Sequence, residues 1–152
     1  VTNDLLAKWG IGRTELFRDA LANMQAESPA EVQSIFAAME DMVGVPADDM
    51  ARDVKDAGAP TLYVLSNRSK CMGAAVILYP GVLESCAETM GGDYYLIPSS
   101  IHEFLLAPVS GMGPGKLRTL IRDINQTEVP LNEVLADHAY LYSVAEKKIT
   151  MV

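Results

Sequence analysis

Cysteine is scarce in this chain, with only Cys71 and Cys86 present. Two thiols alone cannot make a structural zinc site, which takes four Cys or His ligands. One disulfide between them is open, but nothing marks the chain as secreted, so free thiols in a reducing cytoplasm are the expectation. Long apolar runs are also missing. The longest uncharged stretch, Cys71 to Leu83, is too short to span a bilayer and is broken by Pro80 and Gly81. No basic-then-apolar segment opens the chain, so neither a membrane nor a secretory route is expected. Bases are outnumbered, with 12 Lys and Arg against 20 Asp and Glu and a formal charge of −8. Residues 1–58 hold eleven acids against five bases, and residues 59–152 hold the other nine against seven. Phosphate affinity comes mainly from Lys and Arg, so direct nucleic-acid binding is not expected. An acidic half suits a basic protein surface, or an acidic inhibitor that mimics nucleic acid.

What is present is enough for a packed core. At 152 residues, 49% hydrophobic and 21% charged, the chain fits one domain without disulfide or metal support. Its first 58 residues read as helices. Thr14 is placed to cap a run in which Leu16, Phe17, Ala20, Leu21 and Met24 recur at helical spacing. "SPAEVQSIFAAMEDMVG" predicts a second helix, with Ser28 as N-cap, Pro29 at its first position and Glu31 closing a capping box. Val32, Ile35, Phe36, Met39 and Val43 would be its buried stripe. A further helix is predicted between Pro46 and Gly58. Met24, Met39, Met42 and Met50 read as core filler rather than as an adaptable groove.

From Ala59 the period changes. "TLYVLSN" and "GAAVILYP" read as strands around a polar loop, and "GVLESCAETMGG" as a helix stopped by Gly91-Gly92. "DYYLIP" and "EFLLAPVS" form the next strand pair. "GMGPG" is a loop, and "KLRTLIRDIN" an amphipathic helix burying Leu117, Leu120, Ile121 and Ile124. A helical turn near Leu131–Leu135 leads to the strand "HAYLYSV". "KKITMV" returns as an edge strand guarded by Lys147 and Lys148. The expected fold is α+β: N-terminal helices, then a mainly antiparallel sheet in the order β-β-α-β-β-α-β, covered by helices. Residues 1–152 are expected to form one domain, with the helical segment 1–58 packed on the 59–152 core.

"LYVLSN", "GAAVILYPGVL", "YYLIPSSIHEFLLAP" and "NEVLADHAYLY", in that order, resemble a family of Firmicutes proteins from gut clostridia known as a domain of unknown function. "KWGIGRTELFRDALANM" resembles the helical segment that precedes those motifs. "LIPSSIHE" and "LADHAYLY" are the most specific stretches. Family members are longer at the N-terminus, so the resemblance implies a C-terminal portion of a longer chain. It supplies no activity or catalytic residue.

The candidate chemistry gathers in two places. Ser99, Ser100, His102 and Glu103 lie between two apolar runs, and Asp137 and His138 precede another. A serine nucleophile would need His102 or His138 as base and Glu103 or Asp137 as orienting acid. The strand-turn-helix elbow G-x-S-x-G is absent, and Pro98 with two serines reads as a strand end and turn. The same four acids and histidines are the right types for zinc or iron if the fold unites both pairs. Adjacent strand residues point to opposite faces, however, which separates His102 from Glu103. "GMGPG" lacks the Lys-Ser/Thr of a phosphate loop. "YPGVL" opens a helix whose amides suit an anion, but Pro80 is equally a plain helix starter. Arg68, Lys70, Arg118 and Arg122 read as solvated cations.

The sequence therefore predicts a cytoplasmic, non-enzymatic module with no cofactor and no metal. Its expected partner is another protein or the rest of its own longer chain. The rival expectations are a hydrolase or metal-dependent enzyme using His102 and His138, and the acidic inhibitor. Ser99 to Glu103 is expected to be a hairpin tip, with His102 partly exposed.

Overall fold

Thr2 opens the first helix. Its Oγ1 accepts the Leu5 N–H at 3.4 Å, and α1 (Asn3–Trp9) then runs to Gly10. The computed structural model describes residues 1–44, 46, 61–111, 113, 115, 117, 119, 121 and 130–152. In α2 (Arg13–Glu27) the N-cap is Gly12, with no side-chain bond, so Thr14 lies inside the helix and does not cap it. Leu21 and Met24 lean on the main core, while Phe17 remains 57% exposed. Of the regular apolar positions of α2, Leu21 and Met24 towards its C-terminal end are packed on that core.

The next element corrects the sequence reading. Ser28 ends α2, and Ala30–Ser34 is a strand, β1. Five consecutive positions of β1 pair antiparallel with β2 (Tyr63–Asn67), from Ala30 opposite Asn67 to Ser34 opposite Tyr63. Glu31 closes no capping box but meets Arg68 at 3.1 Å across the strands. Pairing with a distant strand outweighs local helix signals that are worth about a kilocalorie each. The cap moves to Ser34, whose Oγ accepts the Ala37 N–H at 3.1 Å and starts α3 (Ile35–Val43). The helix predicted between Pro46 and Gly58 lies outside the described residues.

"GAAVIL" is likewise not a strand. Gly73–Leu78 is a 3-10 helix that buries Ala74 and Val76 against the sheet. Helix α4 (Val82–Met90) follows, buries Cys86 and Ala87, and stops at Gly91 in the left-handed region (φ 76°). Then come β3 (Tyr94–Ser100), β4 (Glu103–Pro108) and a short 3-10 turn, Val109–Gly111. Gly115, Leu117, Thr119 and Ile121 are helical, as "KLRTLIRDIN" predicts, with Leu117 and Ile121 buried. Leu120, Ile124, Arg118 and Arg122 lie outside the described residues. Residues 131–133 form a turn where the sequence predicts a helical turn near Leu131–Leu135. β5 (Tyr140–Ser143) and β6 (Lys148–Met151) complete the chain.

The fold is α+β. Among the described residues six strands form one antiparallel sheet in the order β1-β2-β4-β3-β5-β6, with β3 and β4 at the centre and β6 at an edge. Both faces are covered, which explains why the central strands are apolar on both faces from Tyr94 to Pro98 and from Phe104 to Pro108. One face carries Leu65, Tyr94, Leu96, Phe104, Leu106 and Tyr142 beneath the 3-10 helix and α4. The other carries Val64, Tyr95, Ile97 and Leu105 beneath α3 and the helical stretch of Leu117 and Ile121. Leu65, Leu96 and Leu106 are at most 1% exposed, and each such burial stabilises by about 1.5–3 kcal/mol. Among the described residues no helix is long and apolar enough to cross a membrane.

Candidate functional site

The β3–β4 connection is built from Ile101 and His102 alone, since Ser100 pairs with Glu103 across it. The register slips between Pro98 and Ser100, where proline has no N–H to give to a ladder. Ser100 Oγ accepts the His102 N–H at 3.0 Å, and Ser99 Oγ donates to Glu103 Oε1 at 3.4 Å. Both serines therefore bond within the hairpin tip, and neither reaches the His102 ring.

His102 holds other loops in place. Its Nδ1 accepts the Met72 N–H at 3.0 Å, which puts the ring proton of the neutral imidazole on Nε2, 3.7 Å from Glu133 Oε2. Its carbonyl accepts the Ser66 hydroxyl at 2.8 Å, and Ser66 is only 1% exposed. Beside it, the Ile101 N–H donates to the Glu133 carbonyl and the Ala74 N–H donates to the Ile101 carbonyl. Asn67 completes the arrangement, its Oδ1 accepting from Ser69 Oγ and the Cys71 N–H and its Nδ2 donating to the Cys71 carbonyl. The tip thus fastens the loop after β2 and the turn at Glu133 to the end of the sheet. The His102 side chain is 31% exposed.

His138 sits in a separate arrangement. Its Nδ1 is 2.9 Å from Asp137 Oδ1, and its Nε2 is 2.9 Å from the Tyr140 hydroxyl. The bond to His138 holds the Asp137 carboxyl below the usual carboxylate range. The His138 and Tyr140 rings meet edge-on with centroids 4.9 Å apart. His102 and His138 bond to different partners, and no side chain bridges them among the described residues. No group of three or more His, Cys, Asp or Glu side chains suited to a metal ion occurs among the described residues.

Between these two arrangements lies a trough over the sheet. A cavity of about 290 Å³ is lined by Ile77, Leu96, Phe104, Leu135, Tyr140 and Ile149. A second, of about 360 Å³, shares Ile77, Phe104 and Leu135 with it and continues to Met72 and Ile101. Ser66, Met72, Glu133 and Tyr140 were not marked by the sequence as partners of the candidate residues. Tyr140 alone carried a local signal: two residues after His138 at the start of a strand, it must share a face with it.

Among known proteins, the model of a family described as a family of unknown function, DUF5688, matches residues 1–144. No curated protein and no solved structure matches the chain.

Proposed function

The chain belongs to DUF5688, and from that premise we propose that it works by contact: a non-enzymatic cytoplasmic module that binds another protein or another part of a longer chain. The observation that carries this reading is aromatic surface on the first two helices. Trp9 is 53% exposed and Phe17 57% exposed, although tryptophan and phenylalanine are the residues that bury most area per side chain. Such side chains are enriched at the centres of protein interfaces and dominate their energetics. The cytoplasm is supported by free thiols at exposed Cys71 and buried Cys86. Against the hydrolase reading stand the bonds of Ser99 and Ser100, which go to the hairpin tip rather than to a histidine.

The test compares partners captured by the wild-type chain and by a Trp9→Ala/Phe17→Ala variant from the native cell, read by mass spectrometry. The expected outcome is one partner enriched on the wild type and reduced at least about tenfold on the variant, since truncating a hot spot costs 2 kcal/mol or more. Both proteins should melt alike, because the two side chains are largely exposed. Equal capture by both would sink this reading.

A further inference from the structure

Tyr140 is bonded to a base, and that base is itself oriented by an acid. The Asp137 carboxylate only accepts hydrogen bonds, so at the 2.9 Å contact the imidazole proton of His138 lies on Nδ1. In neutral His138 the lone pair is then on Nε2, where it accepts the Tyr140 O–H at 2.9 Å. The contrast with other tyrosines is chemical. Tyr94 donates to the Leu83 carbonyl and Tyr79 to the Ser28 carbonyl, groups that take no proton.

The surroundings restrict what could react. Tyr140 is half-buried and forms part of the wall of the 290 Å³ cavity with Ile77, Leu96, Phe104, Leu135 and Ile149. Among the described residues no Lys or Arg lines it, so a phosphoryl group would meet no counter-charge from them. An aliphatic acyl group needs none. We propose that Tyr140 is an acyl-accepting nucleophile, with His138 as its base and Asp137 as positioning residue, and that it takes a short apolar acyl group from an activated ester or thioester.

The step balances without oxidant or reductant. Tyr140 Oη attacks the carbonyl carbon while His138 Nε2 takes the phenol proton, and Asp137 faces the imidazolium that forms. The tetrahedral intermediate collapses as the donor's C–O or C–S bond breaks. The alcohol or thiol leaves with the proton from His138, and an aryl ester remains on Tyr140. This site is separate from the exposed aromatics of α1 and α2, so it stands or falls independently of the contact reading.

The experiment treats the full chain with 4-nitrophenyl butyrate, following nitrophenolate release, intact mass and the position of the butyryl group by peptide mapping. The expected result is one butyryl group per chain on Tyr140, absent from that position in Tyr140→Phe. His138→Gln should slow labelling of Tyr140 roughly 10²-fold or more, the usual range for loss of a general base. Asp137 has a 93% exposed side chain, so Asp137→Asn should keep the wild-type melt and still slow the labelling. That variant decides the matter if His138→Gln fails to fold. Butyryl groups spread over lysines and other tyrosines without preference for Tyr140 would overturn the proposal. So would a wild-type labelling rate at Tyr140 in folded Asp137→Asn.

Discussion

At the scale of single residues, Gly73 leaves no room for a side chain. A Cβ there would collide with Ser66 Oγ, the His102 carbonyl oxygen and the Asn67 backbone nitrogen, the last at 2.8 Å. Two of those three atoms are main chain and cannot rotate away, and the third is the hydroxyl that satisfies the His102 carbonyl. Gly73→Ala should therefore destabilise by about 1–3 kcal/mol, the usual cost of overpacking. Urea denaturation should show the loss, with a control at exposed Gly113, where an added Cβ meets nothing within 4 Å. Equal midpoints for the two variants would refute the packing argument. The hairpin tip was legible in the sequence because Pro98 and two serines end one apolar run before the next begins. Its fastenings were not, because Ser66 and Met72 stand 36 and 30 residues from His102. Nothing local in a chain announces a partner so far away.

At the scale of elements, two serines separate what local rules can and cannot read. Ser28 has every sign of a helix cap, yet its Oγ accepts the Ser69 N–H across the loop after β2. Ser34 carries no such pattern and caps α3. The expected outcome is that Ser34→Ala lowers stability by about 0.5–2 kcal/mol, through loss of the Ala37 N–H bond. Ser28→Ala should cost less, because the Ser69 N–H is exposed and water replaces the lost acceptor. Chemical denaturation of both variants checks the order, and a reversed order would restore a helix start at Ser28. "GAAVIL" departs from its predicted strand for a related reason. Short apolar runs fit a buried strand or a buried helical segment equally well, and periodicity alone does not arbitrate between them. Here the need to cover Leu65 and Phe104 on one sheet face decides it, which is a tertiary demand.

At the scale of the whole molecule, the change of period at Ala59 marked an antiparallel sheet covered by helices, while strand order stayed hidden because it depends on non-local pairing. The chemistry of one face was hidden with it. Cys86, Tyr94, Tyr142 and Tyr79 all lie in the core beneath the 3-10 helix and α4, and the Tyr94 and Tyr142 rings are 5.3 Å apart. Burial raises all four pKa values, because a thiolate or phenolate loses its water there. Cys86 is pushed up from 9.0 to about 11, with its bond to Tyr94 only partly opposing the shift. An acid whose folded pKa is raised holds its proton more tightly when folded, so the unfolded chain ionises first as pH rises. Its contribution to stability is complete below the unfolded value and is lost as pH climbs through the folded one. For Cys86 that window runs from about 9 to about 11, with the buried tyrosines extending the loss further upward. Urea midpoints should therefore hold steady from pH 7 to 8 and fall progressively above about 9. Cys86→Ala should start lower at neutral pH, having lost a fully buried side chain, but decline less steeply across the window. Parallel decline of wild type and variant above pH 9 would show that the buried thiol is not what the alkaline transition reads.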